Sequence, residues 1–266
     1  MTGTTGNLSN KKYNLRRIRK AIARRFLERI KGPGAAFENA VQVASRRSQL
    51  SVLFANVTPG SFQGKTVLEV GCGHGHLGAE LEKLGARVIS TDARPENVRQ
   101  AKRKFPGREA FVLDVCSSDD MANQEPVDIT LAFGLLCHLP CPSQFLSPCS
   151  KLSDRLLLES AAMYVLEPEI WFRKETRFLA FYDQTVHGGG CRPSPAWVNR
   201  ELASLGYHDI ADLCSDESKW EEIAAPTYSW KLAGSGIGKR FGDAGYRRMW
   251  AATKGEFTRE GNKIIL

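Results

Sequence analysis

Hydrophobic and polar positions follow one pattern through most of the chain, from Thr66 onward. Short apolar runs alternate with stretches in which apolar residues recur every three or four positions, as on one face of a helix. The runs that predict strands are 67–70, 87–91, 110–113, 129–133, 156–159, 208–213 and 247–253, and the helical stretches include 77–84, 95–104 and 195–205. This alternation predicts an α/β fold with a doubly wound, mostly parallel sheet of seven strands.

The N-terminal part has a different pattern, which predicts a helical extension. Over residues 13–30 the apolar side chains lie three or four positions apart with arginines mostly off that line, and Gly32-Pro33-Gly34 ends this predicted amphipathic helix. A second helix is predicted over 37–55. The turn signal that follows it divides the chain into a basic helical extension, 1–58, and a main domain, 59–266.

Composition narrows the class of protein. With 42% hydrophobic and 25% charged residues in a length of 266, the chain is typical of a globular protein rather than a disordered or disulfide-stapled one. No apolar run approaches the roughly 18 residues that cross a bilayer, and no apolar signal region follows the first residues. Seven irregularly spaced cysteines favour reduced thiols. We therefore expect a cytoplasmic protein with reduced cysteines and no transmembrane segment.

The positive charge is concentrated at the N-terminus. The chain carries a net charge of +8, of which the first fifty residues contribute +10 and the remaining 216 contribute −2. A segment this basic can attract a polyanion or an anionic membrane surface. The basic helix over 11–31 therefore has three interpretations: a solvated helix face, an RNA or DNA contact, or a membrane-surface helix. No feature of the sequence indicates an oligomeric state.

A glycine-rich segment joins the first predicted strand of the main domain to its first helix. Gly71, Gly73 and Gly75 lack a Cβ atom, so the backbone can adopt positive φ and let a ligand approach the amides at the helix start. This arrangement predicts a cofactor loop. The spacing Gly73-x-Gly75-x-x-Gly78, with Asp92 about 20 residues beyond it, also fits a dinucleotide loop. The glycines alone therefore leave a nicotinamide enzyme open.

Three acidic residues lie at the ends of the first three predicted strands. Glu69, two residues before the first glycine, suits an amino group better than a pyrophosphate. Asp92 lies where a carboxylate accepts hydrogen bonds from ribose hydroxyls. Asp114 lies where it could meet an adenine amino group, although it could instead cap a helix. Together these acids line one edge of the sheet and favour an adenosyl cofactor over a dinucleotide.

The ordered motifs resemble those of the class I S-adenosylmethionine-dependent methyltransferases. The likeness covers residues 60–160, through Glu69-x-Gly71-x-Gly73-x-Gly75, Asp92, Asp114-Val115 and the stretch 128–140. It implies a Rossmann-like fold, S-adenosyl-L-methionine as cofactor, and methyl transfer, with the glycines at the methionine part, Asp92 at the ribose and Asp114 at the adenine. The residues that it assigns to the cofactor are Glu69, Gly71, Gly73, Gly75, Asp92, Asp114, Val115 and Phe133.

A narrower likeness concerns the acceptor. The stretch 128–140, with Phe145-Leu146 and Pro193–Trp197, is similar to the tRNA wobble-uridine carboxymethyltransferases and related methyltransferases. In that branch an aromatic residue often precedes the histidine after strand four, whereas this chain has Cys137. We therefore transfer the cofactor but no acceptor, and expect methyl transfer to an oxygen, nitrogen or carbon of a small molecule. The alternatives are an RNA (tRNA) methyltransferase that uses the basic helix and a non-catalytic cofactor-binding protein.

Two side chains are candidates for the chemistry at the acceptor. His138, just past the fourth strand, could take a proton from the acceptor or could only hydrogen-bond its own loop. Glu159, at the end of the fifth strand, could orient the acceptor or could pair with an arginine. The insertion over 160–195 is the expected acceptor-binding element, and its glycine-rich part, 187–192, predicts a loop. By location this insertion also offers Tyr164, Trp171, Tyr182 and Asp183.

A group of cysteines with one histidine raises the question of zinc. Its members are Cys137, His138, Cys141 and Cys149. Prolines flank Cys141 and no second paired motif follows, so four tetrahedral ligands cannot be assigned. We expect no metal site from these residues.

Overall fold

The computed structural model describes residues 40–163, 165–174, 185–216, 228 and 246–266. The predicted helix over 13–30 and the candidates Tyr164, Tyr182 and Asp183 lie outside these ranges. Within the described residues, seven strands form the central sheet, and β6 (Ile170–Lys174) and β7 (Gly189–Pro193) form a separate hairpin. The seven are β1 (Thr66–Val70), β2 (Arg87–Asp92), β3 (Glu109–Val112), β4 (Ile129–Phe133), β5 (Arg155–Ala161), β8 (Asp209–Asp212) and β9 (Arg247–Thr253).

The strand order of this sheet is β3-β2-β1-β4-β5-β9-β8. Strands β1 to β5 pair in parallel, whereas β9 runs antiparallel to both of its neighbours, β5 and β8. The prediction of a doubly wound, mostly parallel, seven-stranded sheet is therefore confirmed. The order reverses between β1 and β4, and open sheets of this kind bind ligands at the carboxyl ends of the strands beside such a reversal.

Helices cover both faces of the sheet because its strands carry apolar side chains on both sides. Val67 of β1 packs in one core and the adjacent Leu68 in the other, as alternating side chains of a strand require. The described helices are α1 (Ala40–Asn56), α2 (His76–Glu82), α3 (Pro95–Lys104), α4 (Ser118–Ala122), α5 (Pro142–Leu152) and α6 (Pro195–Ser204).

Helix α1 packs in the core that contains Val67 of β1. Val52 and Leu53 are buried in this core, and Val57 forms an isolated bridge with Ile264. Ile264 belongs to a C-terminal hairpin of β10 (Thr258–Glu260) and β11 (Lys263–Ile265), which the apolar pattern does not predict. Among the described residues, we find no helix whose length and apolarity would let it span a membrane.

The insertion after β5 contains a two-stranded antiparallel hairpin instead of the predicted glycine loop. Strand β6 pairs with β7, so two of the three consecutive glycines are in a strand. A Cβ atom at Gly189 would lie 3.0 Å from the Cβ of Pro140. Glycine therefore lets β7 pass close to the turn that follows β4, which explains the glycines without a loop.

Candidate functional site

The glycine loop between β1 and α2 has the backbone conformation that its sequence predicts. Gly71, Gly73 and Gly75 have φ values of 70°, 55° and 75°, in the left-handed region that residues with a Cβ atom rarely adopt. Gly75 is the N-cap of α2, so the loop ends at the positive end of that helix dipole. The amides of Cys72 and Gly75 donate within the protein, to the Thr91 and Cys72 carbonyls, and these bonds hold the loop at the carboxyl end of β1.

Asp92 connects this loop to the end of β2. Its Oδ2 accepts a hydrogen bond from the Gly73 amide at 2.9 Å, and its Oδ1 accepts from the Arg94 amide at 2.9 Å and from Asn97 Nδ2 at 3.1 Å. Burial raises the pKa of this carboxyl, although the three donors oppose the effect. Oδ1 already accepts two hydrogen bonds, whereas Oδ2 accepts one and keeps a lone pair that can receive a hydroxyl donor from a ribose.

Glu69 lies beneath the loop rather than in an open cleft. Its side chain is buried, Oε1 accepts the Gly78 amide at 3.2 Å, and Oε2 accepts the Ser90 hydroxyl at 2.9 Å. Burial raises the pKa of Glu69 to about 7, against the opposing effects of Ser90 and Arg108. These contacts connect β1 to the first turn of α2, so Glu69 positions the loop.

Arg108 is a site residue that the sequence pattern does not reveal. Its Nη1 donates to the Gly75 carbonyl at 2.6 Å, while Nε and Nη2 donate to Glu82 at 2.7 and 2.5 Å. The guanidinium also stacks on Phe105, 4.2 Å from the ring centroid. A single arginine in the turn before β3 gives no local signal of this role. It holds the N-terminal cap of α2 from a segment more than thirty residues away.

Asp114, after β3, is joined to the loop that precedes β7. His187 Nε2 lies 3.0 and 2.9 Å from the two carboxylate oxygens of Asp114, and Asp114 Oδ1 accepts the Cys116 amide at 3.0 Å. Nearby, Arg94 Nη2 donates to the Thr185 carbonyl at 2.9 Å. The segment 185–189 therefore lies against the ends of both β2 and β3, where the resemblance assigns the ribose and the adenine.

His138 ends a 3-10 turn, Leu136–His138, that two residues separate from β4. Its imidazole hydrogen-bonds the thiol of Cys137. Burial opposes ionisation of this thiol, but His138, Arg192 and Arg247 together lower its pKa to about 5. Arg192 of β7 also donates from Nη1 to the Cys137 carbonyl at 3.1 Å. The segment after β4 thus contains an ionisable thiol and an imidazole in contact.

Glu159 is fully buried in the second half of β5 and pairs with an arginine. Arg247 of β9 donates to Oε1 from Nε and to Oε2 from Nη2, the latter at 2.7 Å. Gln49 of α1 donates to Oε2 at 3.0 Å, and the Tyr228 hydroxyl donates to Oε1 at 3.0 Å. Burial alone would lower the pKa of Arg247, but the adjacent carboxylate raises it. This network joins β5, β9 and α1.

Two other predicted cofactor residues have mostly buried side chains. Val115 is 5% exposed and packs in the core that contains Leu68 of β1. Phe133 is 7% exposed and packs in the core on the other face of the sheet, which contains Val67. Phe133 lies directly before Gly134, whose amide donates to the Glu159 carbonyl at 2.9 Å. Their backbones, more than their side chains, are therefore available at the sheet edge.

The expectation of reduced cysteines differs from the structure at one pair. Cys116 and Cys141 form a disulfide, with Cα atoms 6.3 Å apart. The loop after β3 and the start of α5 meet at the sheet edge, which the spacing of the cysteines along the chain could not show. The five other cysteines, Cys137 and Cys149 among them, form no disulfide.

Part of the chain is similar in sequence to known methyltransferases. A family model described as a methyltransferase domain matches residues 68–154. The ubiquinone biosynthesis O-methyltransferase of Cereibacter sphaeroides is 32% identical over 97 residues, which cover 35% of this chain and 39% of that protein. The protein of the same name from Xanthomonas euvesicatoria is 33% identical over 92 residues, covering 34% of this chain and 38% of that protein. The chain thus matches less than half the length of these curated relatives.

Solved structures share the architecture over a larger part of the chain. The magnesium protoporphyrin IX methyltransferase of Synechocystis with bound SAM has a TM-score of 0.52 and 17% identity, covering 89% of this chain and 97% of that one. An S-adenosylmethionine-dependent methyltransferase from Mesorhizobium loti has a TM-score of 0.54 and 14% identity, covering 77% and 97%. The resemblance found in the motifs is confirmed: residues 68–154 match the methyltransferase domain family, and the sheet has the class I methyltransferase fold.

Proposed function

We propose that the chain is an S-adenosylmethionine-dependent methyltransferase that acts on a small molecule. The observation that carries this proposal is the loop of three positive-φ glycines bound through Gly73 to Asp92, beside the reversal of strand order between β1 and β4. The methyltransferase domain match over 68–154 supports it. A nicotinamide enzyme would need a substrate domain with its own acid and base, and the sequence predicts none.

Each cofactor group has a proposed partner at this edge. The glycine loop faces the methionine part, Asp92 accepts hydrogen bonds from the ribose, and Asp114 accepts one from the adenine amino group. Glu69 holds the loop from below, through Gly78, and does not contact the cofactor. The segment 185–189 covers the adenosine half, because Arg94 and Asp114 already hold it at that place.

The chemistry requires alignment more than covalent assistance. The sulfonium of the cofactor supplies an activated methyl group, so the protein must place an acceptor oxygen, nitrogen or carbon in line with it and exclude water. We propose His138 as the group that takes a proton from the acceptor, once its own proton has passed to the Cys137 thiolate with which it is paired. Glu159 contributes indirectly, since it holds Arg247 near Gly134, where Arg247 Nη2 lies 3.3 Å from the Cβ position of that glycine.

A cytoplasmic location is part of the same proposal. Five of the seven cysteines form no disulfide, which is usual in a reducing compartment.

Replacing Asp92 tests the cofactor assignment. Asp92→Ala removes hydrogen bonds to the ribose, so we expect S-adenosylmethionine and S-adenosylhomocysteine to bind more weakly by about 1–3 kcal/mol. Isothermal titration of both cofactors and of NAD⁺ into wild type and variant measures this. Glu80→Ala, which removes an exposed acid of α2 that pairs with Lys83, is the matched control and should leave the affinity unchanged.

The outcomes separate the competing functions. Tighter binding of NAD⁺ than of S-adenosylmethionine by the wild type would overturn the assignment. Transfer of a labelled methyl group to any member of a panel of phenols, amines and thiols would exclude a non-catalytic protein. Cofactor binding without transfer to small acceptors, together with transfer to tRNA, would favour the RNA methyltransferase instead.

A further inference from the structure

Four potential metal ligands from three separate segments meet beside the proposed adenine site. Asp114, Cys116 and His187 each offer a ligand atom, and these three atoms lie within 4.8 Å of one another. Cys141 adds a fourth, because its sulfur is bonded to that of Cys116. The donors come from the loop after β3, the residue before α5 and the loop before β7. No element of secondary structure alone would place them together.

This donor set matches the chemistry of zinc. Zn²⁺ prefers thiolate sulfur, imidazole nitrogen and carboxylate oxygen, arranged as a tetrahedron of four ligands. Zinc–sulfur bonds of about 2.3 Å place two thiolates roughly 3.8 Å apart in a tetrahedron. The cysteine Cα atoms are 6.3 Å apart, so once the disulfide is reduced, side-chain rotations can bring the two sulfurs to that spacing. The site is also accessible, with His187 and Asp114 side chains 38% and 30% exposed.

The cytoplasmic location proposed above would favour a metal over a disulfide. In a reducing environment, cysteines close enough to bond more often bind a metal or react than form a lasting disulfide. The set also avoids the difficulty that excludes zinc from Cys137, His138, Cys141 and Cys149. Here the second pair of ligands comes from the Asp114 and His187 contact, at 2.9 Å, and does not have to follow the cysteines in the sequence.

We propose that the reduced chain binds one zinc ion through Cys116, Cys141, His187 and Asp114. A dithiol supplies the two electrons and two protons that break the sulfur–sulfur bond and is itself oxidised to a disulfide. Binding of Zn²⁺ then releases the two thiol protons, because the ligands are thiolates. The ion takes the place of the direct His187 to Asp114 contact and of the sulfur–sulfur bond.

Such a site would connect three loops around the adenosine half of the proposed cofactor pocket. A carboxylate that binds zinc through one oxygen keeps the second for a hydrogen-bond donor, so Asp114 can serve both the metal and an adenine amino group. Zinc binding itself needs no cofactor. The metal site can therefore be tested separately from methyl transfer.

Zinc titration of the reduced and oxidised full chain provides the test. The purified protein is treated with dithiothreitol, freed of reductant and metal without air, and titrated with Zn²⁺ against a chromophoric chelator. We expect one zinc per reduced chain and none per disulfide-bonded chain. Cys116→Ser, Cys141→Ser and His187→Gln should each weaken binding by more than roughly 100-fold, because even outer partners of metal ligands contribute roughly 10–100-fold.

Two measurements keep the result independent of folding defects and of the proposed function. Cobalt(II) added to the reduced wild type should give the sulfur-to-metal charge-transfer band of thiolate ligation, and the oxidised wild type should not. Asp92→Ala, which weakens the cofactor, and Cys149→Ala, which removes a buried cysteine of α5, should bind zinc like the wild type. The proposal is overturned if the reduced chain binds no stoichiometric zinc, if the oxidised chain binds it equally well, or if Cys116→Ser has no effect.

Discussion

Glu69 shows how a single buried acid couples the cofactor loop to pH. The unfolded chain loses the Glu69 proton near pH 4.5, whereas burial raises the pKa of the folded chain to about 7. Between these values the folded state binds the extra proton, so the free energy of unfolding falls as pH rises through the window and levels off above it. The shift corresponds to on the order of 3 kcal/mol.

Glu69→Gln should remove this dependence. Across the window from pH 4.5 to about 7, we expect the unfolding free energy of the variant to gain on the order of 3 kcal/mol relative to wild type. Urea unfolding followed by circular dichroism at several pH values measures it. Glu80→Gln, an exposed change in α2, should follow the wild-type curve. Parallel curves for Glu69→Gln and wild type would show that Glu69 titrates normally.

Individual site residues are predictable where their chemistry belongs to a local motif. Glu69 and Asp92 follow from their spacing around the glycines, and the structure places both on the loop backbone. Arg108 and His187 reach Gly75 and Asp114 across 33 and 73 residues of sequence. No local pattern encodes such contacts, because they arise only when the strand order brings separate loop ends together.

At the scale of elements, burial decides which predictions succeed. Strands such as β4 are buried along their whole length, so a plain apolar run marks them. Strand β6 is only partly buried, and β7 begins with two glycines, so neither shows a plain apolar run. Their pairing depends on the tertiary position of Pro140 and the turn after β4. The same reason hides the Cys116 and Cys141 pair from the sequence.

The Glu159 network should stabilise the junction of β5, β9 and α1. Glu159→Gln leaves Arg247 without its charged partner, and breaking a buried pair costs about 3–5 kcal/mol. The Arg247 side chain is 20% exposed, so we expect a loss near the lower end of that range. Urea unfolding measures it. Glu109→Gln, which breaks an exposed pair with Arg87, should cost less than about 1 kcal/mol.

A second substitution shows whether the lost stability comes from the unpaired Arg247 charge or from altered packing. Arg247→Met in the Glu159→Gln background removes the uncompensated charge and should recover part of the lost stability. If Glu159→Gln costs no more than Glu109→Gln, the buried network does not hold these elements together.

At the scale of the whole molecule, charge and cofactor motifs occupy different parts of the chain. Residues 11–31 contain ten basic residues and one acid, whereas the glycine loop lies beyond residue 66 in a nearly neutral domain. The function of the basic segment can therefore be separated from that of the cofactor site. The described structure begins at α1, beyond the residues that a deletion of 1–31 removes.

If the basic segment contacts nucleic acid, deleting residues 1–31 should weaken binding to tRNA and duplex DNA and flatten its salt dependence. Each neutralised phosphate releases condensed counterion, so the slope of log affinity against log salt becomes shallower as fewer phosphates are neutralised. Affinity for S-adenosylmethionine should not change. Fluorescence anisotropy at several salt concentrations measures the first effect, and isothermal titration the second.

A variant that keeps residues 1–31 distinguishes the effect of their basic side chains from that of their apolar side chains. Replacing Arg16, Arg17, Arg19 and Lys20 by Gln keeps the apolar line of Leu15, Ile18, Ile22 and Phe26. If this variant loses polyanion binding as the deletion does, charge carries the contact. If the intact chain binds neither tRNA nor duplex DNA at low salt, the nucleic-acid interpretation is wrong. Loss of transfer to a small acceptor in the deletion but not in the Gln variant would instead make the apolar line a lid over the pocket, with its arginines facing water.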